Sequence, residues 1–182
     1  MRHSEPGSCF VLDGGYSPPM ASRAALPSTP CTAADVARGI ARLFHAQGQV
    51  VLCEVPLPNG RRADMLAIDG KGMISIIEIK VSRADFLGDR KWLDYLPWCD
   101  RFYWAVGPDV DPALTDDSER CPERCGLIVA DRYEACMVRP ATEYPLVAAR
   151  RRVEHLRIGR IAMRRTMFGI DPDLAQGEEA SL

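Results

Sequence analysis

Apolar residues recur at helical spacing near both ends of this chain, with short extended-looking apolar runs between them. Thr32 reads as a helix N-cap, with Asp35 three residues on as a short capping box. Val36, Ile40, Leu43 and Phe44 then form one stripe that stops near Gly48, with Asp35, Arg38 and Arg42 on the other face. Val50–Leu57 reads as a first strand, turned by Pro58-Asn59-Gly60 into a second over Arg61–Ile68. Asp69-Gly70-Lys71-Gly72 leads to a third, Met73–Val81, apolar enough to be buried on both faces. Ser82 to Asp85 is a second cap-like start, leading through Phe86 and Leu87. Asp89–Cys99 predicts a helix with Trp92, Tyr95 and Leu96 inward and Pro97 ending or kinking it. Phe102–Val106, Leu127–Ala130 and Ala135–Val138 are further strands, and Gly107–Gly126 is a long, acidic loop expected to be mobile. Leu146–Met167 is an arginine-rich closing helix, with Val153, Leu156, Arg160 and Met163 spaced for partial burial. The order predicts an α/β fold with a mixed central sheet flanked by helices.

Residues 1–30, rich in Pro, Gly and Ser, read as a flexible tail. One domain is expected over 31–168 and an acidic tail over 169–182. No run approaches the roughly 20 apolar residues of a membrane span, so no membrane partner is expected. Seven cysteines at irregular spacing point to a reduced cytoplasm rather than a disulfide framework. Cys121 and Cys125 are a close pair, but without a second pair or a nearby histidine they do not make a zinc site. His45 and His155 lack sequence partners and are expected at the surface. The net charge of -2 hides an uneven distribution: seven arginines between Arg150 and Arg165 face only Glu154. Such asymmetry fits either an anionic partner for that face or a solvated helix surface.

The chemistry concentrates on the hairpin. Glu78 and Lys80 are two apart, so in a strand their side chains leave the same face. A charged pair inside an apolar strand needs a partner or a ligand. A three-residue loop of Gly70, Lys71 and Gly72, with Gly72 left-handed, places Asp64 directly opposite Glu78. A two-residue loop would set Asp64 beside Ile77, with its carboxylate on the other face. Two carboxylates and an ammonium on one face suit a divalent metal and a water poised to attack a phosphodiester.

Asp64 before a hairpin and Glu78-Ile79-Lys80 on its return strand resemble the PD-(D/E)XK nuclease superfamily, with its restriction-endonuclease-like core. The likeness extends to Arg61-Arg62-Ala63-Asp64, Asp85-Phe86, Asp89 to Tyr95, Cys99 to Tyr103 and Gly126 to Asp131, which resemble the MmcB family of bacterial DNA-repair proteins. The resemblance implies a deoxyribonuclease acting in DNA repair, alongside other repair proteins, or a weakly active or inactive DNA-binding accessory protein of the same fold. It implies that Asp64, Glu78 and the Ile79 carbonyl ligate Mg²⁺ or Mn²⁺, and that Lys80 orients water or stabilises phosphate charge. Ala63 stands where the superfamily signature has proline, which is not a ligand. Glu54 and Asp35 are alternative positions for a further acid. Arg62, Lys91, Arg150, Arg151 and Arg157 are candidate DNA contacts.

Overall fold

The computed structural model describes residues 30–176. All but the last residue of the expected N-terminal tail, and Glu178 and Glu179 of the acidic one, lie outside the described residues.

Helix α1 (Ala33–Ala46) begins with the reciprocal cap its sequence encodes. Thr32 Oγ1 accepts the Asp35 N–H at 3.2 Å, and the Asp35 carboxylate accepts the Thr32 N–H at 3.1 Å. Two amide donors that a bare helix start would leave unpaired are thereby satisfied. Strands β1 (Val50–Pro56), β2 (Arg62–Ile68) and β3 (Ile74–Lys80) follow as an antiparallel meander. The short helix α2 (Arg83–Gly88) is capped by Ser82 Oγ on the Asp85 N–H. Then come a 3-10 helix (Trp92–Trp98), β4 (Arg101–Val106), β5 (Gly126–Ala130), β6 (Ala135–Arg139), α3 (Ala148–Ile170) and α4 (Asp173–Gln176). The six strands lie in chain order in one sheet, parallel from β3 to β5 and antiparallel elsewhere. This is the mixed α/β architecture expected from the element order.

β3 is buried at all seven positions because it lies mid-sheet with layers on both sides. On one face, Val36, Ile40 and Phe44 of α1 pack on Met65, Ile77 and Ile79. On the other, α2, the 3-10 helix and Ile158 of α3 cover Ile76, Phe102 and Trp104. Trp104 is fully buried, with Phe86, Trp92 and Phe102 ring centroids 5.2, 5.7 and 5.1 Å away. The hairpin takes the longer loop: Gly72 has φ +80°, and the ladder sets Met65 opposite Ile77.

Five expectations are corrected. The Asp89–Cys99 helix is a 3-10 turn starting at Trp92, consistent with Pro97 inside it, which lacks an amide donor. The 107–126 connection is anchored rather than loose: it carries two 3-10 turns and buries Val110, Thr115 and Arg120. Helix α3 runs beyond residue 168, so the boundary expected there falls inside a helix. Its Val153, Leu156 and Met163 are 60%, 62% and 70% exposed, while Glu154 and Ile158 are buried. Polar anchors set that rotation: Arg157 binds Glu154 and the Pro56 carbonyl, and Arg165 binds the carbonyls of Cys53 and Glu54. Both arginines satisfy acceptors along the outer edge of β1, which would otherwise be open to pairing. His155, expected at the surface, is half-buried, its Nε2 2.8 Å from the Gly72 carbonyl.

Candidate active site

The β1–β2 pairing passes from Cys53–Met65 to Val55–Ala63 and omits Glu54 and Asp64. Glu54 has φ +52°, a left-handed conformation unusual for a residue with a side chain. The chain swivels here: Met65 packs in the α1 layer, while Ala63 and Val55 pack in the opposite one. The β2–β3 pairing ends just before the same point, at Met65–Ile77. Asp64 is therefore released from both neighbouring ladders.

Side chains replace the missing backbone bonds. Asp64 Oδ2 accepts the Ile79 N–H at 2.8 Å, and the Asp64 N–H donates to Glu78 Oε1 at 3.3 Å. The two carboxylates thus converge on the gap between β2 and β3, as the hairpin register requires. Lys80 Nζ lies 3.9 Å from Glu78 Oε2 but only 2.7 Å from Asp89 Oδ2, with Asp85 Oδ1 at 3.8 Å. Asp89 is a residue the sequence reading passed over, having taken it only as a helix start. Its one signal was a capped turn directly after the E-x-K strand, which brings the chain back over Lys80. Arg120 holds it in place: wedged 4.8 and 5.6 Å from the Phe86 and Trp104 rings, it donates to the Asp89 carbonyl at 2.6 Å.

The electrostatics follow from this crowding. Burial pushes the Asp64 carboxyl up, opposed by the Ile79 N–H and Lys80. Glu78 is pushed up to about 8, first by burial and then by the Asp64 charge. Burial alone would lower Lys80, but its bond to Asp89 carries it above the ordinary lysine value. Asp89 is held low despite burial, chiefly by that same bond. Four acids therefore surround one ammonium, a deficit of positive charge that a divalent cation would correct. Asp64, Glu78 and the Ile79 carbonyl are hard oxygen donors suited to Mg²⁺ or Mn²⁺, which keep several waters. Among the described residues no group of three or more acidic, histidine or cysteine side chains is arranged to hold a metal. A cation here would rest on two carboxylates, main-chain oxygen and water.

A recess of about 380 Å³ opens over Asp64 and Ile79, lined also by Cys53, Glu54 and small residues of α1. Glu78 and Lys80 are buried and do not line it. Of the two alternatives for a further acid, Glu54 stands in this recess. Asp35 is spent on the α1 cap and on Arg38 at 2.8 Å. Arg62 is exposed and ion-paired with Glu54, and Lys91 is exposed where the 3-10 helix begins. Arg150 stacks 4.6 Å from the Trp98 ring. Arg151 and Arg157 are committed to the buried carboxylates of Asp100 and Glu154, so their donors point into the protein.

The deprotonation of Glu78 has a thermodynamic consequence in the metal-free protein. The folded chain holds a proton there up to about pH 8 that the unfolded chain, at its ordinary 4.5, releases. Between these values the native state binds more protons, so raising the pH favours unfolding. Metal-free wild type should lose up to about 5 kcal/mol across that window, and Glu78→Gln should flatten the loss. Urea unfolding in EDTA at several pH values tests this, and parallel curves for both proteins would refute it.

Residues 22–173 match the family model described as DNA repair protein MmcB-like. The chain belongs to that family. An MmcB-like assignment agrees with the resemblance carried by the hairpin, the Asp85-Phe86 pair and the Lys91-Trp92 segment. A solved structure, the SPO1766 protein of unknown function from Silicibacter pomeroyi, is similar to this MmcB-like chain at 41% sequence identity and a TM-score of 0.68. The match covers 81% of this chain and 96% of that one. Among curated proteins none matches the chain. No helix among the described residues is long and apolar enough to cross a membrane.

Proposed function

We propose that this MmcB-like chain is a metal-dependent deoxyribonuclease of the PD-(D/E)XK, restriction-endonuclease-like kind, hydrolysing phosphodiester bonds in DNA repair. The observation that carries the reading is the convergence of Asp64 and Glu78 on the opened β2–β3 gap, with Lys80 beside Glu78. When bound, the cation supplies the charge neutralisation and the acidified water that phosphodiester hydrolysis needs. Asp64 and Glu78 hold it as carboxylates, Glu78 giving up its proton on binding, so affinity rises with pH toward about 8. The Lys80 ammonium would stabilise negative charge on the phosphate and the attacking oxygen. Asp89 and Asp85 keep Lys80 protonated and fix its direction. Arg62 and Lys91, exposed beside the site, contact the DNA backbone, and Arg150 and Arg152 lie farther along the same chain's basic helix.

A second reading is a DNA-binding repair accessory protein that cuts poorly. It is favoured by Lys80 lying closer to Asp89 than to Glu78, and by the burial of Glu78 away from the recess. Purified protein incubated with single-stranded, duplex and damaged DNA, with Mg²⁺ or Mn²⁺, separates the two. Cleavage that vanishes in EDTA and in Glu78→Ala is the expected result. Binding without cleavage under every condition would replace the nuclease with the accessory protein.

A further inference from the structure

Helix α3 has a second regular face that the fold does not use. Its body-facing stripe is Glu154, Ile158, Ile161 and Arg165, which reach the core or the β1 edge. On the far side of the helix, Val153, Leu156, Arg160, Met163, Met167 and Ile170 succeed one another at alternating steps of three and four. That is the a/d pattern of a coiled-coil seam, and every one of these residues is exposed, Ile170 by 81%. The helix is 23 residues long, roughly 34 Å, enough for about three heptads.

We infer that this face is an interface for a second copy of the chain, paired antiparallel through α3. The direction follows from charge. In a parallel pair the basic starts of the two helices, each carrying Arg150 and Arg152, would lie side by side, and so would the acidic residues Asp171 and Asp173 past their ends. Turned antiparallel, Val153 faces Ile170, Leu156 faces Met167 and Arg160 faces Met163, each a versus d. The same register sets Arg150 and Arg152, at the start of one helix, beside Asp171 and Asp173, just past the end of the other. The apolar layers and the basic-to-acidic ends thus agree on one register. Arg160 lays its aliphatic stem over Met163 and keeps its head in water.

Sedimentation of the full chain from about 1 µM to about 200 µM tests the pairing. The expected result is a concentration-dependent dimer that Leu156→Glu combined with Met163→Glu turns monomeric, with an unchanged circular dichroism spectrum because both residues are exposed. Arg152→Glu and Asp173→Arg should each weaken the dimer, roughly tenfold in Kd. Mixed in equal amounts, these two variants should associate with each other more tightly than either does alone, since the swapped charges meet only across an antiparallel pair. A wild-type monomer throughout the range, or a dimer that survives the double glutamate variant, overturns the interface. A dimer lost in the glutamate variant but without rescue in the mixture overturns the antiparallel register. Neither readout depends on cleavage.

Discussion

Asp64→Asn protein should show no Mg²⁺-dependent cleavage above background, a loss of at least about 10³-fold, or roughly 4 kcal/mol of transition-state stabilisation. Asparagine is the informative replacement. Its side-chain oxygen can still accept the Ile79 N–H at the end of the opened hairpin, so the fold should hold while the charge disappears. Cation affinity, followed by calorimetric titration with Mg²⁺ or Mn²⁺, should fall with it. Lys80→Ala should behave differently, keeping most of the affinity and slowing the chemical step in single-turnover kinetics. The distinction matters because Lys80 pairs with three acids, whereas Asp64 supplies charge directly to the gap. Wild-type cleavage by Asp64→Asn would remove the proposed site, whatever the fold.

Asp100→Ala should destabilise the protein by about 3–5 kcal/mol in urea unfolding, the largest effect expected from a single change outside the site. Asp100 is 1% exposed and accepts from the Ile74 N–H and the Leu146 N–H, each at 2.7 Å, and from Arg151. Its own carbonyl takes the Tyr144 N–H at 2.8 Å. One carboxylate thus ties the start of β3 to the segment leading into α3. Truncation leaves two buried amides and a half-buried guanidinium without an acceptor, which costs more than the bonds themselves were worth. Asp100→Asn should recover part of the loss by keeping an acceptor. A change below about 1 kcal/mol in the alanine variant would show that water enters and satisfies these groups.

Local signals carried well from sequence to structure. The Thr32–Asp35 cap, the Ser82 cap and the Gly72 turn each depend on a few consecutive residues whose geometry allows little else. The Gly72 turn, in setting the hairpin register, also brought Asp64 and Glu78 together. Burial of β3 was legible because an uninterrupted apolar run has few other places to go.

Hidden from the linear pattern was everything settled by partners far apart in the chain. Arg120 reaches Asp89 across 31 residues and Arg157 reaches Pro56 across 101, distances at which no spacing rule operates. The arginines of α3 looked like a nucleic-acid surface, yet several serve the β1 edge and two buried carboxylates. The rotation of α3 was misjudged for the same reason: Val153, Leu156 and Met163 are as apolar as any core residue. Sequence alone determined the strands, the two long helices, their order, the hairpin and its acidic pair, because these follow from short-range backbone geometry and the period of apolar residues. Tertiary structure alone decided which cations serve the scaffold, that Asp89 holds Lys80, and which stripe of the last helix meets water. Those outcomes depend on competition among distant groups for the same buried donors and acceptors.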